Sequence, residues 1–381
     1  MINKRRSFLY FIVLTMILWS CVTEVRDFEQ VDNNSFFTVE ASLSDQVGPH
    51  RVYVSYSSPS IKINVENEPV SSAIVSFVDD KGKTERLTEI TAGIYETSPT
   101  FKGIVGNTYT LNIILSSGRS YFSSPEKLIA CPKIDNIKTE FVVKTNFPLT
   151  DIRSVGYDVS LDFTDSPEPN QYYQWKWTHV ERTVFCANCS RGYDYSSNRC
   201  SSELNFPDGQ TMVELINYPC NENCFDITDN AGYNLLADNL LNGQKITNIP
   251  IARIPFNNRS LYYLKIEQRA ISQKIYRYFR SIKEVTQGSG TLFDIPAETQ
   301  FSPNIYSKDD SGERIIGVFE VFGLQSKTIY VDRNAGTSNY KPVVRVYAGR
   351  QILLPSPRMG PRAPCTEGKY RTKTEPKDFK E

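Results

Sequence analysis

The 381-residue chain carries 43 basic and 43 acidic residues, and 12% of it is aromatic, mostly Tyr and Phe. That balance excludes the electrostatic footprint of a nucleic-acid binder and a polybasic membrane patch, while the aromatic content favours β structure. With only two histidines, His50 and His179, a histidine-rich metal site is excluded, and any His-based acid–base catalyst has to use one of these two.

The chain opens with Lys4-Arg5-Arg6 and an uncharged apolar run from Phe8 to Trp19. Twelve residues fall short of the roughly 20 that a spanning helix needs. Basic residues, a short apolar stretch and small Ser20 have the layout of a secretory signal, residues 1–20. Leu18-Trp19-Ser20-Cys21 fits the Leu-x-small-Cys pattern at which a bacterial lipoprotein is cleaved and its cysteine lipidated. Each buried methylene contributes about 0.8 kcal/mol, so two or more acyl chains on Cys21 would hold the chain at a membrane. No later stretch reaches 18 apolar residues. Residues 21–34, acidic at Glu24, Asp27 and Glu29, read as a tether to domains that the bilayer does not embed. Without residues 1–20 the chain keeps 40 basic residues against 43 acidic ones, and its length suggests two or three domains.

Residues 35–130 read as short strands: "FFTVEASLSD", "RVYVSYSS" after the Gly48-Pro49 turn, "SAIVSFVDD" with good alternation, then "AGIYETSP" and "NTYTLNIILSSGRSYFSSP". About seven strands in this length, with turn signals between them, predict an Ig-like or transthyretin-like β-sandwich able to fold alone. Ala130-Cys131-Pro132 marks its end. Residues 131–381 predict a larger β-rich domain. "VGYDVSLDFTD" and "QYYQWKWTHVE" flank the turn "SPEPN", and "RSLYYLKIEQRA", "TLFDIPAE", "GERIIGVFEVFGLQSKTIYV" and "KPVVRVYAG" supply later strands. Over 272–287, Ile275, Tyr278, Phe279, Ile282 and Val285 recur at helical spacing and predict one amphipathic helix packed on a core, stopped at Gly288-Ser289-Gly290. Residues 356–381 form a basic, proline-containing, irregular tail.

Residues 182–224 are polar and cysteine-rich. Cys186, Cys189, Cys200, Cys220 and Cys224 follow a C-x2-C-x10-C-x19-C-x3-C pattern. In an oxidising compartment disulfides are the default; zinc ligation and redox-active thiols are the alternatives, and the overall spacing matches no common zinc pairing well. Besides Cys21, seven cysteines remain and cannot all pair within one chain. Either Cys131 or Cys365 joins the cluster, and Cys365 is preferred because it would pin the tail. The connectivity is open. His179 lies seven residues before Cys186 and reads as an ordinary strand histidine or as an added metal ligand. Tyr173, Trp175 and Trp177 alternate onto one strand face, which is either buried or an exposed platform for sugar rings or a protein.

Turn-like acidic pairs such as Asp79-Asp80 and Asp309-Asp310 read as solvated. "TQGSGTLF" lacks the G-x-S-x-G spacing and follows a helix, the wrong setting for a hydrolase serine. The sequence contains no Walker motif and no G-x-G-x-x-G. No catalytic residue, resident metal or cofactor is therefore expected.

Taken together, the Cys21 pattern, "PVSSAIVSFVDDKG", "LTEITAGIYET", "GNTYTLNI", "GRSYFSSP", "IYRYFRSIKEVTQGSGTLFDIPAETQFSPNI", "RIIGVFEVFG" and the "PKDF" ending resemble the domain of unknown function 4249 family. The resemblance spans essentially the whole chain after the signal, and order and spacing carry it. It implies a lipid-anchored, β-rich lipoprotein of the outer membrane in Bacteroidota, with genes near TonB-dependent receptors, and it implies no established activity. The reading is a non-catalytic binding or accessory subunit, partnered by the membrane through its lipid and by an outer-membrane protein such as a TonB-dependent receptor. Its orientation on the surface or periplasmic face is open. The alternative is a lipid-anchored envelope enzyme or metal-handling protein that uses the cysteine cluster.

Overall fold

The computed structural model describes residues 35–57, 67–148, 151, 153–189, 193–200, 216–230, 232–238, 242–286, 300–334, 339–342, 360–368, 370–377 and 379. The signal, Cys21, the tether, the strands expected at 291–298 and 343–349, and the helix stop at Gly288–Gly290 lie outside these residues. The fold is mainly β, with one α-helix among the described residues. No helix there is long and apolar enough to cross a membrane.

One eleven-stranded sheet organises the chain. Its order runs Arg371–Thr372, Phe225–Asp229, Gln171–Arg182, Leu261–Ile271, Ile316–Asp332, Phe37–Ser44, Arg51–Tyr56, Ile94–Glu96, Thr88–Thr91, with Asn234–Asp238 added on Gln171–Arg182 and Glu68–Pro69 on Arg51–Tyr56. The strand Ile316–Asp332 is its centre, and its "IGVFEVFG" run is buried on both faces. Strand residues alternate between faces, and here the two faces meet different layers. Phe319 and Val321 enter one core and Val331 a second, while Val318 and Phe322 meet the helix on the opposite side.

The first core lies beneath a six-stranded sheet built on Ser120–Ser123, Thr108–Ile114 and Ile74–Asp79. The alternation in "SAIVSFVDD" appears directly: Val75 and Phe77 are buried, while Ile74 is exposed. The second core lies beneath a three-stranded sheet of Ile134–Val143, Val155–Thr164 and Lys245–Pro255. The helix spans Gln273–Thr286 and packs Ile275, Tyr278 and Phe279 against Tyr172, Ile271, Val318 and Phe322. Ser272 Oγ accepts the Ile275 backbone N–H at 3.4 Å, as an N-cap does.

The expectation of a sandwich complete within 35–130 is not met. Phe37–Ser44 pairs in parallel with Ile316–Asp332, from Thr38↔Ile316 to Ser44↔Phe322, and Ser120–Ser123 pairs with Ile305–Ser307. Ile305, Ile315, Phe319 and Val321 complete the first core. Buried Asn304 locks this return: its amide donates to Glu126 Oε1 at 3.0 Å and to the Phe319 carbonyl at 2.8 Å. The connection at the Ala130-Cys131-Pro132 boundary crosses Gly323 so closely that a Cβ there would lie 2.2 Å from the Ile129 carbonyl oxygen.

Of the two readings of the aromatic face, the structure takes the buried one. Tyr173 and Trp175 are buried in the second core, and Trp177 packs partly buried against it. The three-stranded sheet covers this face. Tyr173 donates its hydroxyl to Asp165 at 2.5 Å, and Trp175 Nε1 donates to Gln268 Oε1 at 3.0 Å. Gln268 in turn donates to the Pro132 carbonyl at 2.7 Å, tying this tryptophan to the chain crossing.

Candidate functional site

The cysteine-rich segment condenses into a small unit at one end of the large sheet. Its framework is the strand pair Phe185–Cys189 with Ile216–Pro219 and the pair Tyr193–Asp194 with Arg199–Cys200. Three disulfides hold it: Cys186–Cys220, Cys189–Cys200 and Cys224–Cys365. Cys131 is a free thiol, and burial pushes it up to about 12. The sequence left this connectivity open; in the structure the adjacent C-x2-C cysteines go to different partners.

The tail completes the unit. Ala363 donates to the Pro219 carbonyl at 2.8 Å and accepts from the Asn221 N–H at 3.0 Å, and Gly360 sits against the Tyr218 ring, where a Cβ would meet ring atoms at 2.5 Å. Arg371–Thr372 adds an edge strand to Phe225–Asp229. Arg371 pairs with Asp226 at 2.6 Å and donates to the Cys186 carbonyl at 2.9 Å, and Phe379 packs on Phe225 at 5.2 Å between ring centroids. Although cross-linked, the unit presents large side chains outward: Val184, Phe185, Tyr195 and Tyr370 are exposed. The Tyr195 hydroxyl donates to the Pro361 carbonyl at 3.2 Å, so this ring is held in place by the tail.

His179 does not join the sulfurs. Its ring stacks on Tyr262 at 3.6 Å, Nδ1 lies 2.7 Å from the Tyr263 carbonyl oxygen, and Nε2 lies 3.5 Å from Glu181. Glu181 also meets Arg333 at 3.3 Å. Arg333 is fully buried and donates to Asn257, to the Ser260 carbonyl and to Ser260 Oγ. Hydrogen bonding from His179 and the charge of Arg333 hold the Glu181 carboxyl at about 2, against an ordinary 4.5.

A depressed carboxyl contributes stability that is complete above its unfolded value and lost as pH falls towards its folded one. Glu181→Gln should therefore flatten the loss of stability between about pH 4.5 and pH 2. The effect should be modest, because 40% of the Glu181 side chain is exposed and solvent screens it. Denaturant titrations of both proteins across that range test this; equal acid slopes would refute it.

A second polar cluster lies on the helix side of the sheet. Lys176 lies 3.6 Å from Glu320, Glu320 lies 3.6 Å from Arg269, and Arg269 and Lys265 both contact Glu267. Burial alone would raise the Glu267 carboxyl, but the two cations outweigh it and hold the group at about 2. Burial lowers the Lys176 ammonium. Sequence reading missed both networks. The available signal was the polar half of the alternating pattern: Gln174 and Lys176 between the aromatics of "YYQWKW".

A family model described as "Domain of unknown function (DUF4249)" matches residues 23–328. The match includes the five clustered cysteines and ends before Cys365. No curated protein matches the chain.

Proposed function

The chain belongs to the DUF4249 family, and from that premise we propose that it is a lipid-anchored outer-membrane subunit. In this reading it binds a partner protein without transforming it, as an accessory to a TonB-dependent receptor or another outer-membrane complex. The observation that carries the reading is the cross-linked unit. Exposed apolar side chains on a surface mark interaction sites when they cluster, and disulfides that fix such a surface lower the entropy lost on docking. Val184, Phe185, Tyr195 and Tyr370 are large hydrophobic side chains exposed on this unit and its tail.

The Leu18–Cys21 pattern supports the anchor. Residues 21–34 could place the domain at most about 50 Å from the lipid, at about 3.5 Å per extended residue. Cys21→Ser is expected to abolish incorporation of labelled fatty acid and membrane retention together. A signal-cleaved, unacylated variant that still sediments with membranes would sink the anchor. For docking, Tyr195→Ser/Tyr370→Ser should fold normally yet lose co-purification with an outer-membrane β-barrel protein from detergent-solubilised membranes. Equal recovery with both proteins, or none with either, would overturn the docking role. Metal handling by the cysteine cluster is the second reading, and one observation favours it: the Sγ atoms of Cys186, Cys224 and Cys365 lie within 4.8 Å of one another.

A further inference from the structure

We propose that the neighbouring disulfides Cys186–Cys220 and Cys224–Cys365 are the closed form of a four-thiolate site. Reduction opens it to a soft divalent ion such as zinc. The inference deepens the metal-handling reading and is independent of the docking role.

A tetrahedral zinc with Zn–S bonds of about 2.3 Å sets its sulfurs about 3.8 Å apart. Cys186, Cys224 and Cys365 already hold theirs within 4.8 Å of one another, and all three are buried. The fourth sulfur, of Cys220, is bonded to that of Cys186 across a Cα separation of 4.8 Å. Cys220 and Cys224 also form a C-x3-C pair, a spacing within the range that zinc sites use. The more conspicuous C-x2-C pair is not this chelate, because Cys189 is committed to exposed Cys200.

Contacts other than the S–S bonds also hold the backbone around these four residues. Phe185–Cys189 is laddered to Ile216–Pro219. Cys220 forms a parallel bridge with Ala363. The Cys365 N–H donates to Glu222 Oε1 at 3.2 Å, and Arg371 holds the Cys186 carbonyl at 2.9 Å. Opening both bonds would therefore leave four thiols facing one another inside a preformed shell. A soft ion suits thiolates better than magnesium or calcium would.

The chemistry balances. Each disulfide takes two electrons and two protons from a dithiol, which leaves as its own disulfide. In vitro a phosphine serves instead and leaves as its oxide, taking the oxygen of one water. The four thiols then release their protons to solvent as the ion binds, so affinity should fall as pH is lowered.

The test uses the full chain, oxidised or reduced with a phosphine under argon, titrated with Cd2+ and followed by the thiolate-to-cadmium absorption band. The expected result is no band in the oxidised protein and one ion per reduced chain, with absorption for four thiolates. Cys189→Ser/Cys200→Ser should behave as wild type. Cys365→Ser should lose at least tenfold in affinity, and if it does not fold, the Cys189→Ser/Cys200→Ser comparison still decides. A reduced chain that takes no cadmium, a Cys189→Ser/Cys200→Ser variant that loses the band, or a Cys365→Ser variant with undiminished affinity would overturn the site. So would a cadmium-bound tail that trypsin removes freely, which would mean chelation by an unfolded segment. Co-purification with a barrel partner is read separately, so either idea can fail alone.

Discussion

A chain ending at Leu128 is expected not to fold, although residues 35–128 contain no cysteine and their strands alternate cleanly. The missing part is internal to the sandwich. Ile305, Ile315, Phe319 and Val321 are all buried in its core, and at about 1.5–3 kcal/mol for each fully buried side chain their loss removes about 6–12 kcal/mol. That rivals the whole net stability of an ordinary domain, about 5–15 kcal/mol. The truncation also strips the inner edge of Phe37–Ser44 along seven paired positions and leaves it open to aggregation. Far-UV circular dichroism with a urea titration of residues 35–128 should show no cooperative transition. A sharp transition in that fragment would refute the shared-core account.

The second large effect concerns the tail. Cys224–Cys365 closes a separation of 141 residues, and the other two cross-links lie outside that loop. Loop-closure entropy puts a cross-link of this span at about 5 kcal/mol. Cys224→Ser should therefore lower stability to urea by about 4–5 kcal/mol, while trypsin still spares Arg371 and Lys373 in the folded chain. The contacts of Ala363, Arg371 and Phe379 remain in the variant and hold the tail in place. A loss below about 1 kcal/mol would refute the entropic account of this cross-link.

These two expectations bear on what the sequence makes legible. Local pattern is legible: the alternation that buries Val75 and Phe77 and the stripe that buries Ile275, Tyr278 and Phe279 both follow from side-chain period. Strand order is another matter. Nothing within residues 35–130 says that Phe37–Ser44 takes a parallel neighbour from beyond residue 315, because pairing across such a distance leaves no local mark. The same blindness affects Tyr173 and Trp175. Alternation puts them on one face, but whether that face is wet depends on the three-stranded sheet laid over it. Disulfide connectivity depends on the path of the tail, which a cysteine count does not encode. Arg333 is the hardest case. Nothing in "YVDRNAG" marks it as a core residue, yet it is fully buried, and partners that include Asn257, Ser260 and Glu181, brought to it by other segments, make that burial tolerable.

The parallel pairing of Phe37–Ser44 with Ile316–Asp332 also constrains the order of assembly. Thr38 must find Ile316, 278 positions later, so the first strand to leave a ribosome or a translocation channel has no inner neighbour until most of the chain has followed. Contacts this distant in sequence slow folding and lengthen the time during which unpaired edges can meet other chains. A chain of this topology is therefore expected to need a holding chaperone during synthesis or export more than its small individual strands would suggest. Its yield should fall when that escort is depleted, even though the finished fold is cross-linked three times.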